Sequence, residues 1–206
     1  CHTTYIPGEQ RGENFNVQSG VTCESCHGPG GTFLSTHVQA DSNHQRNVAT
    51  GLYPTDSPEH RTKLCLSCHQ ADSDNEFMHK YYAAGHPRLR FEVETYTANQ
   101  PYHFNKDADY KRRKSPVTPV FSWAKGQLIS SLTVIDSLSR NIKSGSRLPE
   151  LALFECSDCH QSIADPSQIS RSNKNFGTPS VNVSNLIMTH AIALTIEPVI
   201  AKKIKS

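Results

Sequence analysis

The clearest pattern of apolar and polar positions lies in the second half of the chain, between residues 119 and 143. Apolar side chains recur at steps of three and four residues, the spacing of one helix face; they are Phe121, Ala124, Leu128, Leu132, Ile135, Leu138 and Ile142. Thr118 is a suitable N-cap, Pro119 suits the first helical position, and Gly145 and Pro149 follow as terminators. The pattern predicts one long helix over residues 119–143.

The rest of the chain shows weaker patterns, which indicate helices or loops. Residues 184–196 are predicted to form a second helix that ends near Pro198, and the Ser- and Asn-rich residues 162–182 are typical of a surface loop. Residues 1–115 carry repeated Pro and Gly turn signals, and no strand pattern of any length stands out. The tail at residues 202–205 is expected to be solvated. The predicted fold class is mainly α with extensive irregular loops.

Composition changes this picture, because the chain has few apolar side chains for its length. Hydrophobic residues make up 35% and the mean hydropathy is −0.55, so something besides side chains is expected to supply part of the apolar interior. The net charge of +2 gives no case for nucleic-acid binding. Residues 186–201, the most apolar stretch, are interrupted by His190, Glu197 and Pro198, so no transmembrane segment is expected. Eleven histidines and seven cysteines indicate bound metal or haem.

The cysteines fall into one repeated motif. Cys-x-x-Cys-His is complete at residues 23–27, 65–69 and 156–160, and Cys1-His2 matches the end of a fourth copy. The two thiols of such a motif form thioethers with haem vinyl groups, and the histidine becomes the proximal iron ligand. We therefore expect four covalently attached haems c. The residues that would bind them are the thiols of Cys1, Cys23, Cys26, Cys65, Cys68, Cys156 and Cys159 and the imidazoles of His2, His27, His69 and His160.

Two further expectations follow from the motifs. A chain that starts at the second cysteine of a motif is expected to be a fragment of a longer polypeptide. Thioether formation takes place outside the cytoplasm in bacteria and archaea, so periplasmic or extracellular residence is expected. Zinc sites, redox dithiols and disulfide frameworks also use cysteine pairs, but none of them requires a histidine directly after each second cysteine.

Seven histidines remain as possible second axial ligands. Met78 and Met188 both lie beside better candidates, so bis-histidine haems are expected. The leading candidate is His86, because Gly85 allows close backbone approach and Pro87 restricts the turn that follows. The other candidates are His37, His79, His103 and His190, of which the last two are equally compatible with packed, unligated side chains. His44 and His60 are expected to be solvated side chains in polar loops.

Two stretches of the chain resemble known cytochromes. Gly20-Val21-Thr22, followed by the motif at residues 23–27 and by Gly28-Pro29-Gly30, is similar to the tetrahaem cytochrome c family that accepts electrons from hydroxylamine oxidoreductase. Residues 83–92 resemble a broader set of related multihaem cytochromes, which continue with a helix containing Trp and Gly, here Trp123 and Gly126.

The resemblance covers most of residues 1–165 and carries expectations of its own. It implies a multihaem cytochrome fold packed around covalent haems that stack in pairs with short gaps between their edges. It also implies that His37 is a distal ligand, which in the family serves a haem further upstream. The motif of that further haem is missing from this sequence, so His37 is expected to serve a haem of this chain or of another segment.

Together these features predict three regions and a function. The regions are a haem-packed core at residues 1–115, a long helix with the fourth motif at residues 116–165, and a loop with a C-terminal helix at residues 166–206. The expected function is electron transfer through four haems, either as a carrier that meets redox partner proteins or as a subunit of a cytochrome filament with haem ligation across subunits. Two alternatives stay open: a redox enzyme acting on a small nitrogen compound at an open axial position, and a haem-bearing structural domain.

Overall fold

The computed structural model describes residues 1–70, 79–114, 116–144, 150–160 and 179–205. Within these ranges the chain forms helices joined by irregular segments. Strand-like pairing is confined there to one isolated antiparallel bridge between Phe154 and Val181. The prediction of a mainly helical protein with extensive loops is confirmed.

The helices are numbered in chain order. They are α1 (Cys23–His27), α2 (His44–Ala49), α3 (Pro58–His69), α4 (His79–Ala83), α5 (Val93–Asn99), α6 (Ala108–Arg113), α7 (Pro119–Lys143), α8 (Ser184–Ile196) and α9 (Pro198–Lys205). Short 3₁₀ turns lie at Gly8–Gln10, Val17–Ser19, Gly30–Thr32, Leu151–Leu153 and Cys156–Asp158. Each complete Cys-x-x-Cys-His motif thus includes a helical turn.

Helix α7 begins and ends where the sequence predicts. The Thr118 hydroxyl accepts a hydrogen bond from the Phe121 N–H at 3.3 Å, and Pro119 occupies the first turn, where its missing N–H costs nothing. Arg140 and Lys143 lie in the last turn, where positive charge interacts favourably with the helix dipole.

The face that α7 buries is not its apolar stripe. The buried residues are mostly small or polar: Ser122, Gly126, Gln127, Ile129, Ser130, Ser131 and Ser137. The side chains of Phe121, Leu128, Leu132, Ile135 and Ile142 are exposed. The apolar period therefore located the helix, but small side chains form its packed face because they let neighbouring backbones approach closely.

A glycine marks the closest approach of α3 and α5 to α7. A methyl group added at Gly126 would lie 2.4 Å from Val93 Cγ1 and 3.7 Å from Thr62 Oγ1. Val93 and Thr62 are almost completely buried. This crossing holds α3, which ends in the third motif, against the middle of the long helix.

Polar contacts support the same crossing. Arg61 on α3 donates from Nη2 to Ser122 Oγ at 2.8 Å and pairs with Glu94 Oε1 at 3.4 Å. Gln70 Nε2 donates to the Ser130 carbonyl oxygen at 3.3 Å. Arg61 therefore links α3, α5 and α7, and its side chain is largely removed from solvent.

We predict that Gly126→Ala destabilises the protein, although alanine is the better helix former. Alanine favours the helix by about 1 kcal/mol, but the overlap with buried Val93 costs roughly 2–3 kcal/mol. The free energy of unfolding should therefore fall, as measured by thermal or denaturant unfolding. In a Val93→Ala background the 2.4 Å overlap with Cγ1 is removed and only the tight 3.2 Å approach to the Cβ of residue 93 remains, so the same Gly126→Ala change should cost much less. A loss of stability that is equal in both backgrounds would contradict the packing described here.

The C-terminal part differs from the prediction in one respect. Helix α8 spans the predicted residues 184–196, but a further helix that was not predicted, α9, begins at Pro198. Ala201 is completely buried, whereas Lys202 and Lys203 are exposed, as expected for them. Most of the predicted loop at 162–182 lies outside the described residues.

No helix in the described ranges is long and apolar enough to cross a membrane.

Candidate functional site

Three of the four motif histidines lie close to a histidine from elsewhere in the chain. In three places a motif histidine and a histidine outside any motif have their rings close together. The ring centroids are 6.0 Å apart for His2 and His86, 6.1 Å apart for His27 and His103, and 6.0 Å apart for His79 and His160. The partners are far apart in sequence, so the fold brings each pair together.

The separation of the rings fits an iron between two imidazoles. A bond between a metal and an imidazole nitrogen is about 2 Å long, and that nitrogen lies roughly 1 Å from the ring centroid, so opposite ligands of one iron have centroids about 6 Å apart. Rings in edge contact have similar separations, as Tyr53 and His60 do at 5.9 Å, so the three pairs are distinguished by the motif histidine that each of them contains. A haem needs only these two axial ligands from the protein, because the porphyrin supplies the others.

The thiols also suit covalent haem. All seven cysteines lie in the described part of the chain, and none of them is in a disulfide. Among the described residues, no three His, Cys, Asp or Glu side chains come together as a ligand group for a bare metal ion. At three of the four motifs the donors thus occur as cysteine thiols with a motif histidine and a second histidine close by, which is the donor set that haem c requires.

Thr4 ties the first motif to the second. Its N–H donates to the Gly20 carbonyl oxygen at 3.0 Å, and its hydroxyl accepts from the Thr22 N–H at 2.8 Å. The same hydroxyl forms a hydrogen bond with the Ser25 hydroxyl, inside the second motif. Thr4 is buried, so this small network holds the segments that carry His2 and His27 together.

The backbone after His27 depends on a glycine. Gly28 has φ +83° and ψ 179°, a region that is essentially restricted to glycine. A Cβ at this position would lie 2.4 Å from the Gly51 carbonyl oxygen. The Tyr53 N–H donates to the His27 carbonyl oxygen at 2.9 Å, so the loop at residues 51–53 packs directly against the end of the motif.

The third motif has aromatic neighbours where the others have a histidine. The His69 ring stacks on Phe91 with centroids 5.5 Å apart and meets the Tyr96 ring nearly edge-on. No histidine ring within the described ranges faces it at the distance of the three pairs. Burial lowers the pKa of His69, so its imidazole stays in the neutral form that binds a metal.

The second and third motifs lie near each other. Burial raises the pKa of the Cys65 thiol to about 11, and repulsion from the negative charge of Cys26 adds to this shift. Burial also raises the pKa of Cys26, with further contributions from Cys23 and Cys68. Thiols influence one another in this way only when they are neighbours, so groups attached to α1 and α3 would be neighbours too.

Polar contacts connect the fourth motif to the segment that supplies its partner. The His79 N–H donates to Glu150 Oε1 at 2.6 Å. Arg88 pairs with Glu155 at 3.5 Å, and Glu155 directly precedes Cys156. These contacts place His79 beside His160.

The structure brings neither His37 nor His190 into such a pair. His37 is exposed, and its Nδ1 lies 2.7 Å from the Leu34 carbonyl oxygen. His190 lies in the middle of α8, where its neighbour Thr189 shares a hydrogen bond with Ser131 of α7 at 2.9 Å. Neither ring faces another histidine of the described part of the chain, so their role as ligands stays a prediction.

The prediction that His44 and His60 lie in loops was wrong. His44 begins α2 with its Nε2 3.2 Å from Asp56 Oδ1, and His60 lies in the first turn of α3 with its ring against Tyr53. Sequence reasoning also missed Thr4, Phe91 and Tyr96 as neighbours of the motifs. Phe91 and Tyr96 could have been found, because they closely follow the Gly85-to-Arg88 stretch that the sequence had already singled out. Nothing in the sequence indicates a role for Thr4.

Comparison with known proteins gives one family match. Residues 1–28 match the family model described as cytochrome c554 and c-prime, over a range that includes Cys1-His2 and the second motif. The match supports a c-type cytochrome with covalently bound haem c and a role in haem-based electron transfer. No curated protein and no solved structure matches the chain.

Proposed function

We propose that this protein transfers electrons by means of four covalently bound haems, most of them ligated by two histidines. The observation that carries the proposal is the set of three histidine pairs with ring centroids 6.0–6.1 Å apart, each next to a cysteine motif. Haem supplies an iron that changes between its ferric and ferrous states. We further propose that the protein is periplasmic or extracellular and acts as a carrier or as a subunit of a polymeric cytochrome. We also propose that it is related to the tetrahaem cytochromes linked to hydroxylamine oxidoreductase.

We assign each donor to one of four sites. The sites are Cys1 with His2 and His86; Cys23 and Cys26 with His27 and His103; Cys65 and Cys68 with His69; and Cys156 and Cys159 with His160 and His79. His37 and His190 remain candidates for ligands given to the third site or to another polypeptide. Redox partner proteins would exchange electrons with the exposed side of these sites.

The chain's own residues favour a carrier over a catalyst at three of these sites. A histidine on each side of an iron leaves no position for a substrate, and two imidazoles keep the potential lower than a Met/His pair does. The thioethers hold each group in place through cycles of oxidation and reduction. The closeness of Cys26 to Cys65 supports short distances between the second and third sites.

The third site supports a second candidate function. His69 is flanked by Phe91 and Tyr96, and its distal ligand is unassigned. A weakly ligated or open iron at this site would bind small molecules such as nitrogen oxides, as a redox enzyme requires. Carbon monoxide binding to the reduced protein separates the two functions, because bis-histidine sites bind it poorly and an open site binds it readily.

The proposed function is tested on the haem-loaded full chain. We expect its intact mass to include four covalently bound haems, and its visible spectrum to titrate reversibly between oxidised and reduced forms. The paired change Cys156→Ser with Cys159→Ser should remove one haem from the mass, while Ser157→Ala inside the same motif should remove none. A protein without covalent haem, or one with rapid turnover of a nitrogen substrate, would contradict the carrier function.

A further inference from the structure

The positive charge of the chain is concentrated in one short segment, residues 106–114, which includes α6. This segment holds five basic and two acidic side chains, whereas the rest of the chain holds 16 basic and 17 acidic ones. The net positive charge of the chain therefore comes from this segment, and the remainder has a slight acidic excess.

Three lysines of the segment form no ion pair with any residue that the structure describes: Lys106, Lys111 and Lys114. The first two are exposed and the third is half-buried. Both acidic residues are already engaged within the segment. Asp107 caps α6 by accepting a hydrogen bond from the Tyr110 N–H at 2.8 Å, and Asp109 pairs with Arg112. The charges of the three lysines therefore remain available to another molecule.

A series of aromatic rings joins this segment to the second motif. The centroid of the His103 ring lies 6.1 Å from that of His27 and 5.2 Å from that of Phe104. Phe104 in turn meets the ring of Tyr110, on α6, with centroids 5.5 Å apart. Lys106 Nζ lies 6.0 Å from the centroid of the Phe104 ring. The basic segment therefore lies beside the histidine pair of the second site.

Exposed aromatic side chains accompany these charges. Tyr102 is 82% exposed and Phe104 is 44% exposed, and the two residues flank His103 in the sequence. Aromatic side chains are enriched at the centres of protein interfaces, and charged side chains lie at their rims. A protein partner therefore fits this surface better than a small anion, which would use the lysines and leave the aromatic rings in water.

We propose that this surface docks an acidic electron-transfer protein at the second site. The docking surface consists of Tyr102, Phe104, Lys106, Lys111 and Lys114. The inference rests on the proposed function, since a redox partner exchanges electrons only where its own centre comes close to a haem. A reduced partner gives up one electron here, the ferric iron of the second site becomes ferrous, and no bond forms or breaks. Electron-transfer complexes bury less surface than stable ones, so a small charged patch suffices.

Charge attraction acts mainly on the rate at which such a partner docks. Attraction between a basic patch and an acidic surface raises the association rate constant by about 10- to 1,000-fold. Salt weakens the attraction, because it screens charges beyond about 10 Å at 0.1 M ionic strength. The remainder of the chain, with its slight acidic excess, offers an acidic partner no comparable attraction. Docking should therefore be fast at low salt and directed to the second site.

The test measures how fast a reduced acidic flavodoxin reduces the haem-loaded full chain, by stopped-flow spectroscopy at increasing salt. The second-order rate constant of the wild type should fall steeply as salt increases. Lys111→Glu together with Lys114→Glu should lower the constant at low salt by about tenfold or more and flatten its salt dependence. Lys202→Glu together with Lys203→Glu, at exposed positions of α9, changes the net charge equally and should leave the constant close to the wild-type value.

Cross-linking gives a second readout, which does not depend on electron transfer. A carbodiimide joins lysine amines directly to carboxylates of the docked flavodoxin, and peptide mass spectrometry locates the links. They should be found at Lys106, Lys111 and Lys114. Links that are equally frequent at Lys202 and Lys203 of α9 would overturn the inference.

A small neutral reductant separates failure of this inference from failure of the proposed function. The neutral radical of 5-deazariboflavin should reduce the wild type and both double variants at equal rates, because it carries no charge to be attracted. A wild type that neither reductant can reduce would contradict electron transfer itself and the docking surface with it. If the radical reduces all three proteins, but flavodoxin is indifferent to the changes at Lys111 and Lys114 or is slowed equally by those on α9, the docking surface alone is overturned.

Discussion

His103→Ala is expected to abolish one low-spin haem signal while the haem stays covalently attached. The change removes the imidazole whose ring centroid lies 6.1 Å from that of His27, and the thiols of Cys23 and Cys26 remain. Without a second strong-field nitrogen ligand the site becomes high-spin and opens to small molecules. Electron paramagnetic resonance of the oxidised protein and carbon monoxide binding to the reduced protein measure these two effects, and intact mass reports the retained haem.

His37→Ala is the matched control for this experiment. His37 was a ligand candidate from the family resemblance, but in the structure its Nδ1 approaches the Leu34 carbonyl oxygen. The substitution should leave the low-spin signal of the haem at Cys23 and Cys26 in place. If His37→Ala removes a signal and His103→Ala does not, the family pattern holds and the pairing of His27 with His103 is wrong.

Gly28→Ala is expected to destabilise the second site strongly. Alanine at φ +83° and ψ 179° costs about 1–3 kcal/mol. The new Cβ would also lie 2.4 Å from the Gly51 carbonyl oxygen, and a backbone atom yields less readily than a side chain. We expect the free energy of unfolding to fall by about 3 kcal/mol or more, which is a large share of a domain's stability. The loop at 51–53 and the His27 backbone would separate, so haem content at Cys23 and Cys26 should also fall.

Gly31→Ala is the control from the same glycine-rich turn. Its backbone φ is not positive, and a Cβ there would have no neighbour within 4 Å. The thermal midpoint and the haem content should therefore stay close to those of the wild type. Equal losses from Gly28→Ala and Gly31→Ala would mean that general loss of flexibility, and not the contact with Gly51, determines the effect.

The sequence predicted the long helices well because their signals are local. Thr118, Pro119 and the apolar period determine α7 from within the helix itself. Helix α3 was missed because its buried residues, Pro58, Thr62 and Leu66, form only one narrow line with a single large apolar side chain. The burial of the serine and glycine face of α7 could not be foreseen, because it depends on which helices cross it.

The residues of the candidate site likewise fall into those that local sequence identifies and those that only the tertiary structure identifies. The motif spacing identifies His27 and the other proximal histidines, because two thiols and the next residue are local geometry. The residue that faces His27 could not be identified from the sequence, because the tertiary structure brings His103, 76 positions later, to that place. The resemblance implied that His37 serves a haem further upstream, and a packed role for His103 was equally compatible with its sequence.

The central claim is that the three histidine pairs are axial ligands of haem irons. A map of the haem-loaded protein, from crystals or by electron cryo-microscopy and read for iron coordination, tests it most directly. The account predicts one iron midway between the rings of each pair, namely His2 with His86, His27 with His103, and His79 with His160. An iron next to His2, His27 or His160 whose other axial ligand is a different residue, or is missing, would contradict it.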